Sequence, residues 1–137
     1  MNRKKRIYVS HAIRGKYGNS ATPAQMKENC ALAQLVITAL RALLPDTEFY
    51  LPADHEEFIS KAFLCGLISE KEILDIDCQI VGECDGLLAL SNGFISNGMD
   101  IEIQYAKLRK IPCFTWDIAS FVTNLIGWLK DETPKNK

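Results

Sequence analysis

The chain has 137 residues, 47% apolar and 24% charged, with a formal net charge of −1. That composition fits one soluble domain with its own core. It excludes strong electrostatic attraction to nucleic acid or a membrane surface, and no apolar run approaches the roughly 20 residues of a membrane span.

The basic run Arg3-Lys4-Lys5-Arg6 reads as a solvated flank before the first strand rather than a nucleic-acid signal. No signal peptide is visible, because the run leads straight into a short strand. The cysteines number five, at Cys30, Cys65, Cys78, Cys84 and Cys113. With an odd count and no metal-ligand spacing, they indicate a reducing, cytoplasmic setting without disulfides.

The first strand is expected over 6–10, "RIYVS". A polar, glycine-containing loop follows. Thr22, Pro23 and Gln25 then spell an N-cap, a first helical position and a capping box. Met26, Cys30, Ala33, Ile37, Leu40 and Leu44 recur on one helical face, and Pro45 ends the helix. "TEFYLPA" (47–53) is a second strand, and 55–65 a short helix. Ser69 and Glu72 form another capping box and open a helix to about Glu83. Its apolar stripe is Ile73, Ile76, Ile80 and Cys84, with Leu74 and Val81 beside it.

"GLLALS" (86–91) is apolar throughout, as a strand covered on both faces should be. A helix from about Met99 to Arg109, a strand over 111–116 and a helix over 118–130 complete the pattern. Alternating strands and helices imply one α/β domain: a three-layer parallel sheet of four to five strands, flavodoxin- or Rossmann-like, with the first strand central. Its core is expected over about 6–131, with 132–137 as a frayed tail.

Parallel strands put their carboxyl ends on one rim, where ligands bind in such sheets. Three features gather there. Arg14-Gly15, in "SHAIRG", offers a planar guanidinium fork and close backbone approach, suited to phosphate. An exposed surface loop would read the same way. Asp77 lies in line with Leu74 and Val81. A carboxyl shielded from water there is pushed toward general-acid duty, while one at the stripe's edge simply reaches solvent. Glu102, expected in the first turn of its helix, would be held ionised by the helix dipole and suited to nucleophilic attack. Gly98 would allow the tight turn before it. Glutamates are common in first turns for the same dipole reason. Two carboxylates with a phosphate anchor suggest cleavage of a glycosidic bond in a nucleotide.

These residues resemble the nucleoside 2-deoxyribosyltransferase superfamily, and within it the nucleoside 5′-monophosphate N-glycosidases. "IYVSHAIRG" is similar to the family's first strand and its Ser-Ile-Arg-Gly phosphate loop. "DCQIVGECD" resembles its Asp eight residues before a strand-opening Asp. "SNGMDIE" resembles its Ser-x-Gly-x-x-x-Glu, whose Glu is the nucleophile. Transferases of unphosphorylated nucleosides typically carry Asp where this chain has Ser96. A carboxylate there would repel a 5′-phosphate, so the resemblance favours the hydrolase branch. The likeness spans about residues 7–116.

The resemblance implies hydrolysis of a (deoxy)nucleoside 5′-monophosphate to free base and sugar 5-phosphate. Glu102 would form a glycosyl-enzyme intermediate and Asp77 would protonate the departing base. His11, Ala12, Ile13, Arg14, Gly15, Ser96 and Gly98 would line the substrate site. Tyr8 would touch sugar or base, or else pack in the core. No metal or organic cofactor is implied, and the partners are the nucleotide and a second copy in a homodimer. Ala12 stands where the family loop has Ser, and His11, in place of a small residue, either restores that donor or narrows the pocket. Gln104 replaces a helix glycine, and the segment 52–66 is long. The alternatives are a deoxyribosyltransferase using the same residues, and a nucleotide sensor without turnover.

Overall fold

The computed structural model describes residues 4–13 and 20–120, together with Thr123 and Gly127. Four parallel strands form one sheet in the order β2-β1-β3-β4. They are β1 (Lys5–His11), β2 (Thr47–Tyr50), β3 (Gly86–Ser91) and β4 (Cys113–Asp117). The order is flavodoxin-like, with β1 and β3 central and the connection reversing direction between them. Register is clear: Tyr8 lies opposite Tyr50 on one side and Leu87 on the other.

Strand alternation separates two cores. Ile7 and Val9, with Leu88 and Leu90, pack against α1 (Pro23–Leu43). Tyr8, Leu87 and Ala89 pack on the opposite face, with Val81 of α3 (Glu70–Gly82) and Met99 and Ala106 of α4 (Asn97–Leu108). Leu87, Leu90 and Met99 are fully buried, each stabilising the fold by roughly 1.5–3 kcal/mol relative to exposure. The expected continuous burial of β3 is observed for its first five residues. No helix among the described residues is long and apolar enough to cross a membrane.

Both expected capping boxes are present. Thr22 accepts from the Gln25 backbone N–H, Gln25 reaches back to Thr22, and Ser69 and Glu72 do the same. The buried face of α1 is Cys30, Ala33, Val36, Ile37 and Leu40. Leu44, expected on that face, lies beyond the helix end and is exposed.

Four local expectations are corrected. β2 stops at Tyr50, and Pro52–His55 form a 3-10 turn leading into α2 (Glu56–Leu64). Proline has no N–H to give a ladder, and its fixed φ suits the first position of a helical turn. On α3, Ile76 is 46% exposed, and the residues packed with the sheet are Val81, which is buried, and Ile80 beside it. The basic run is not merely a flank. Arg6 sits inside β1, pairs with Glu48 and Glu83, and lies over the Tyr50 ring. Finally, α4 begins at Asn97, not near Met99, because Ser96 caps it by accepting from the Met99 N–H. The tight turn before it belongs to Gly93, at φ 87°, whereas Gly98 is an ordinary helical residue.

Residues 118–120 are helical, as expected for the start of the last helix. Most of the rest of that helix, and the tail, lie outside the described residues. All five cysteines are free; Cys30 and Cys84 are buried, and Cys65 is exposed.

Candidate active site

Position along β1 decides the site. Tyr8 and Ser10 are two apart, so both point to the α4 face. Their hydroxyls donate to the two oxygens of one carboxylate: Tyr8 Oη to Glu102 Oε2 at 2.6 Å, and Ser10 Oγ to Glu102 Oε1 at 2.6 Å. Glu102 is 6% exposed and reaches the strand from the second turn of α4. The first-turn dipole argument therefore does not apply to it. Burial is the dominant influence and raises its pKa, while the Ser10 and Tyr8 hydrogen bonds pull it back down.

Tyr8 is buried and paired, and its hydroxyl is held well above 10 by burial and by the neighbouring Glu102 and Asp77 charges. It keeps its proton and serves as a fixed donor. The Tyr8 ring stacks on Tyr50 at 5.6 Å between centroids, and Tyr50 in turn contacts His55 at 5.5 Å. An aromatic row thus runs from the buried carboxylate to the turn after β2.

Asp77 is half-buried on α3. Burial, then the Glu102 charge, then that of Glu56, raise its pKa to about 7. Two carboxyls that repel each other in a shielded place cannot both ionise easily. Burial thus pushes both carboxyls up, with the Glu102 charge adding to the rise at Asp77 and the Ser10 and Tyr8 hydrogen bonds opposing it at Glu102.

Asp85, the second Asp of "DCQIVGECD", has a structural part. It accepts from the Arg6 N–H at 2.8 Å through Oδ2 and donates its own N–H to the Arg6 carbonyl at 2.7 Å. This ties the start of β3 to β1 and sets the register that carries Tyr8 and Ser10.

The structure brings Tyr8, Asp77 and Glu102 together on the α4 side of β1, with Tyr8 and Glu102 buried rather than at the open rim. Ser96 and Gly98 stand at the start of the same α4, where Ser96 accepts the capping bond and retains its hydroxyl proton for donation. Ala12 packs on the α4 side, whereas Ile13 packs on the α1 side and its carbonyl accepts from Asn29 Nδ2 at 2.9 Å. His11 points to the α1 face, away from Glu102, in the alternation that Ser10 defines. Arg14 and Gly15 lie outside the described residues.

Sequence reasoning did not foresee Ser10 as a partner of Glu102, nor Tyr50, His55 and Glu56 as its surroundings. The Tyr-x-Ser alternation in "YVS" was the available signal for the first. Among the described residues, no three His, Cys, Asp or Glu side chains converge in a way that could hold a metal ion. No family model, curated protein or solved structure matches this chain.

Proposed function

We propose that the protein is a glycosidase of the nucleoside 2-deoxyribosyltransferase type, hydrolysing the N-glycosidic bond of a (deoxy)nucleoside 5′-monophosphate. The observation that carries this reading is a buried Glu102 carboxylate gripped by Tyr8 and Ser10, with Asp77 raised to about 7 beside it. A structural glutamate needs its charge satisfied, but it needs no second carboxyl poised to carry a proton near neutral pH. That pairing is the equipment of glycoside cleavage.

In the first step a Glu102 oxygen bonds to C1′ as the C1′–N bond breaks. The electron pair leaves with the base, and Asp77 gives that base its proton. Each Glu102 oxygen accepts one hydrogen bond from protein, so a lone pair remains for attack. In the second step Asp77, now ionised, takes a proton from water. The resulting oxygen attacks C1′ and frees Glu102 and the sugar 5-phosphate. Ser96, the backbone near Gly98, and the Ala12–Gly15 segment would hold the phosphate.

The transferase reading uses the same residues with a second base in place of water, and Ser96 in place of a carboxylate speaks for the hydrolase. A homodimer is part of the proposal, supported by exposed Ile76, Ile101 and Leu108 on the outer faces of α3 and α4. So is a cytoplasmic setting, supported by the free cysteines.

The test is incubation with a panel of nucleoside and deoxynucleoside monophosphates, with released base read by chromatography. Release of base without any added base acceptor is the expected result. Release only when an acceptor base is supplied would move the assignment to the transferase. Tight binding with every nucleotide recovered intact would replace it with a sensor.

A further inference from the structure

The long segment after β2 has little apolar burial to hold it. Leu51, Pro52 and Ala53 are buried. From Asp54 through Ile80 no residue is buried, and Val81 is the next that is. That stretch holds the end of the 3-10 turn, all of α2 and most of α3. It also carries Asp77, the proposed proton carrier. Apolar burial is complete only at the two ends of the segment, so polar bonds have more say over its course between them.

Asp54 makes such bonds. Gln34 and Arg41 lie two helical turns apart on one face of α1. Each donates to a different oxygen of the Asp54 carboxylate: Gln34 Nε2 to Oδ1 at 3.3 Å, and Arg41 Nη2 to Oδ2 at 3.1 Å. The same Arg41 nitrogen donates to the Phe49 carbonyl of β2 at 2.9 Å. One guanidinium thus ties the end of β2 to the turn that follows it, and both to α1. Such a set of bonds fixes the direction of the chain, which a single exposed ion pair would not.

What the turn carries lies against the site. His55 meets the Tyr50 ring at 5.5 Å, and Tyr50 stacks on Tyr8, the donor to Glu102. Glu56 follows and opens α2, its Oε1 accepting from Ser60 Oγ at 2.7 Å. Asp77 is faced by Glu102 from α4, Tyr8 from β1, Tyr50 from β2 and Glu56 from α2, with Cys78 beside it on α3. A shift of the turn would move the ring partner of Tyr50 and the Glu56 charge together.

We propose that Asp54 is a positioning residue: bonded to Gln34 and Arg41 of α1, it fixes the turn that places His55 on Tyr50 and Glu56 on the Asp77 side, and so sets the surroundings of the proton carrier. It acts through the turn, not on substrate. Its consequence for turnover rests on the glycosidase reading above, but its effect on Asp77 is measurable in the free protein.

Asp54→Ala removes both bonds to α1, and Arg41→Ala removes one of them together with the tie to Phe49. Asp54→Asn keeps the shape: its amide can accept from Arg41 and donate to the Gln34 carbonyl once that amide turns over. Carboxyl-carbon NMR of the aspartates follows Asp77, assigned with Asp77→Asn. Ring NMR follows His55, assigned with His55→Gln. In the wild type one aspartate is expected to titrate at about pH 7. Asp54→Ala and Arg41→Ala should each move the His55 signals and lower that midpoint by about half a pH unit, as expected when one charge near the surface moves away. The alkaline limb of kcat/KM should move with it, and Asp54→Asn should restore most of both. A loss of stability alone would leave the midpoint in place, so melts beside the titration separate the two roles. Arg41→Ala decides the matter if Asp54→Ala does not fold. The proposal is overturned if the midpoint stays put in the folded variants. It is equally overturned if Asp54→Asn shifts the midpoint as far as Asp54→Ala, since the charge of Asp54 and not its bonds would then be the cause, or if no wild-type aspartate titrates near neutral pH. A midpoint that shifts as expected, in a protein that releases no base from any nucleotide, supports this role and removes the glycosidase reading.

Discussion

The Tyr8 hydroxyl donates to Glu102 Oε2 at 2.6 Å, joining β1 to α4 across 94 positions of chain. This bond stabilises the ionised carboxylate in a place where burial disfavours it. Tyr8→Phe should therefore raise the Glu102 pKa further. The acid limb of the kcat/KM profile should move to higher pH, and kcat should fall about tenfold or more, a barrier increase of about 1.4 kcal/mol. Ser10→Ala should act in the same direction through Oε1. An acid limb that stays put in both variants would show that Glu102 is not the group whose ionisation limits the rate.

Glu102→Gln keeps the size and one carbonyl acceptor for the two hydroxyls but removes the nucleophile. Thermal stability should stay close to wild type or rise, because a buried charge is removed. Nucleotide binding should persist while base release falls by several orders of magnitude. Near-normal release in a folded variant would exclude Glu102 as the attacking group.

Asp77 makes the opposite limb. With its pKa raised to about 7, it carries a proton below that pH and loses it above. Activity should fall as pH rises through about 7, and Asp77→Asn should remove that fall along with much of the rate. The loss should be smallest for bases that leave readily without protonation. Stability follows by linkage. The folded pKa lies above the unfolded value near 3.9, so the unfolded chain releases this proton first, and stability declines between about pH 4 and 7. Asp77→Asn should flatten that decline and gain roughly 1–3 kcal/mol at pH 8, discounted for the partial exposure of the carboxyl. Melts from pH 4 to 8 beside rate profiles separate the two effects.

The features legible in the sequence were local ones. Thr22 with Gln25, and Ser69 with Glu72, announce helices because a capping box is complete within four residues. The apolar "GLLAL" announces a central strand because both its faces are covered. Asp77 was legible as a member of the Leu74–Val81 row, but the exposure of Ile76 was not. Apolarity alone favours burying the isoleucine, whereas the α3 residue that is buried is Val81. The Ser96 cap was hidden because Ser-Asn-Gly also spells a turn. Tyr8 and Ser10 as the grip on Glu102 were legible only in part: the Tyr-x-Ser alternation puts both on one face of β1, but no periodicity links β1 to α4. That contact is made by β1–β3 pairing, to which Asp85 contributes by clamping Arg6.

Ser96 offers the sharpest test of where the phosphate sits. Its oxygen caps α4, and aspartate caps helices as well as serine does. Ser96→Asp should thus preserve the helix that carries Glu102, so a loss of activity cannot be assigned to a frayed α4. What changes is charge. A carboxylate about 4 Å from a phosphate repels it by roughly 4 kcal/mol at an effective dielectric near 20. Solvent at the rim reduces this, leaving an expected weakening of one to two orders of magnitude, about 1.4–2.8 kcal/mol. Unphosphorylated nucleosides carry no such charge, and their 5′-hydroxyl can donate to the new carboxylate. The kcat/KM ratio of a nucleoside monophosphate to its nucleoside should therefore fall by at least tenfold, with the nucleoside value equal or higher. Arg14→Ala should lower the same ratio by removing a charge-assisted contact. If the ratio is unchanged in both variants, the phosphate does not bind between the end of β1 and the start of α4, and the monophosphate specificity proposed for this site is wrong.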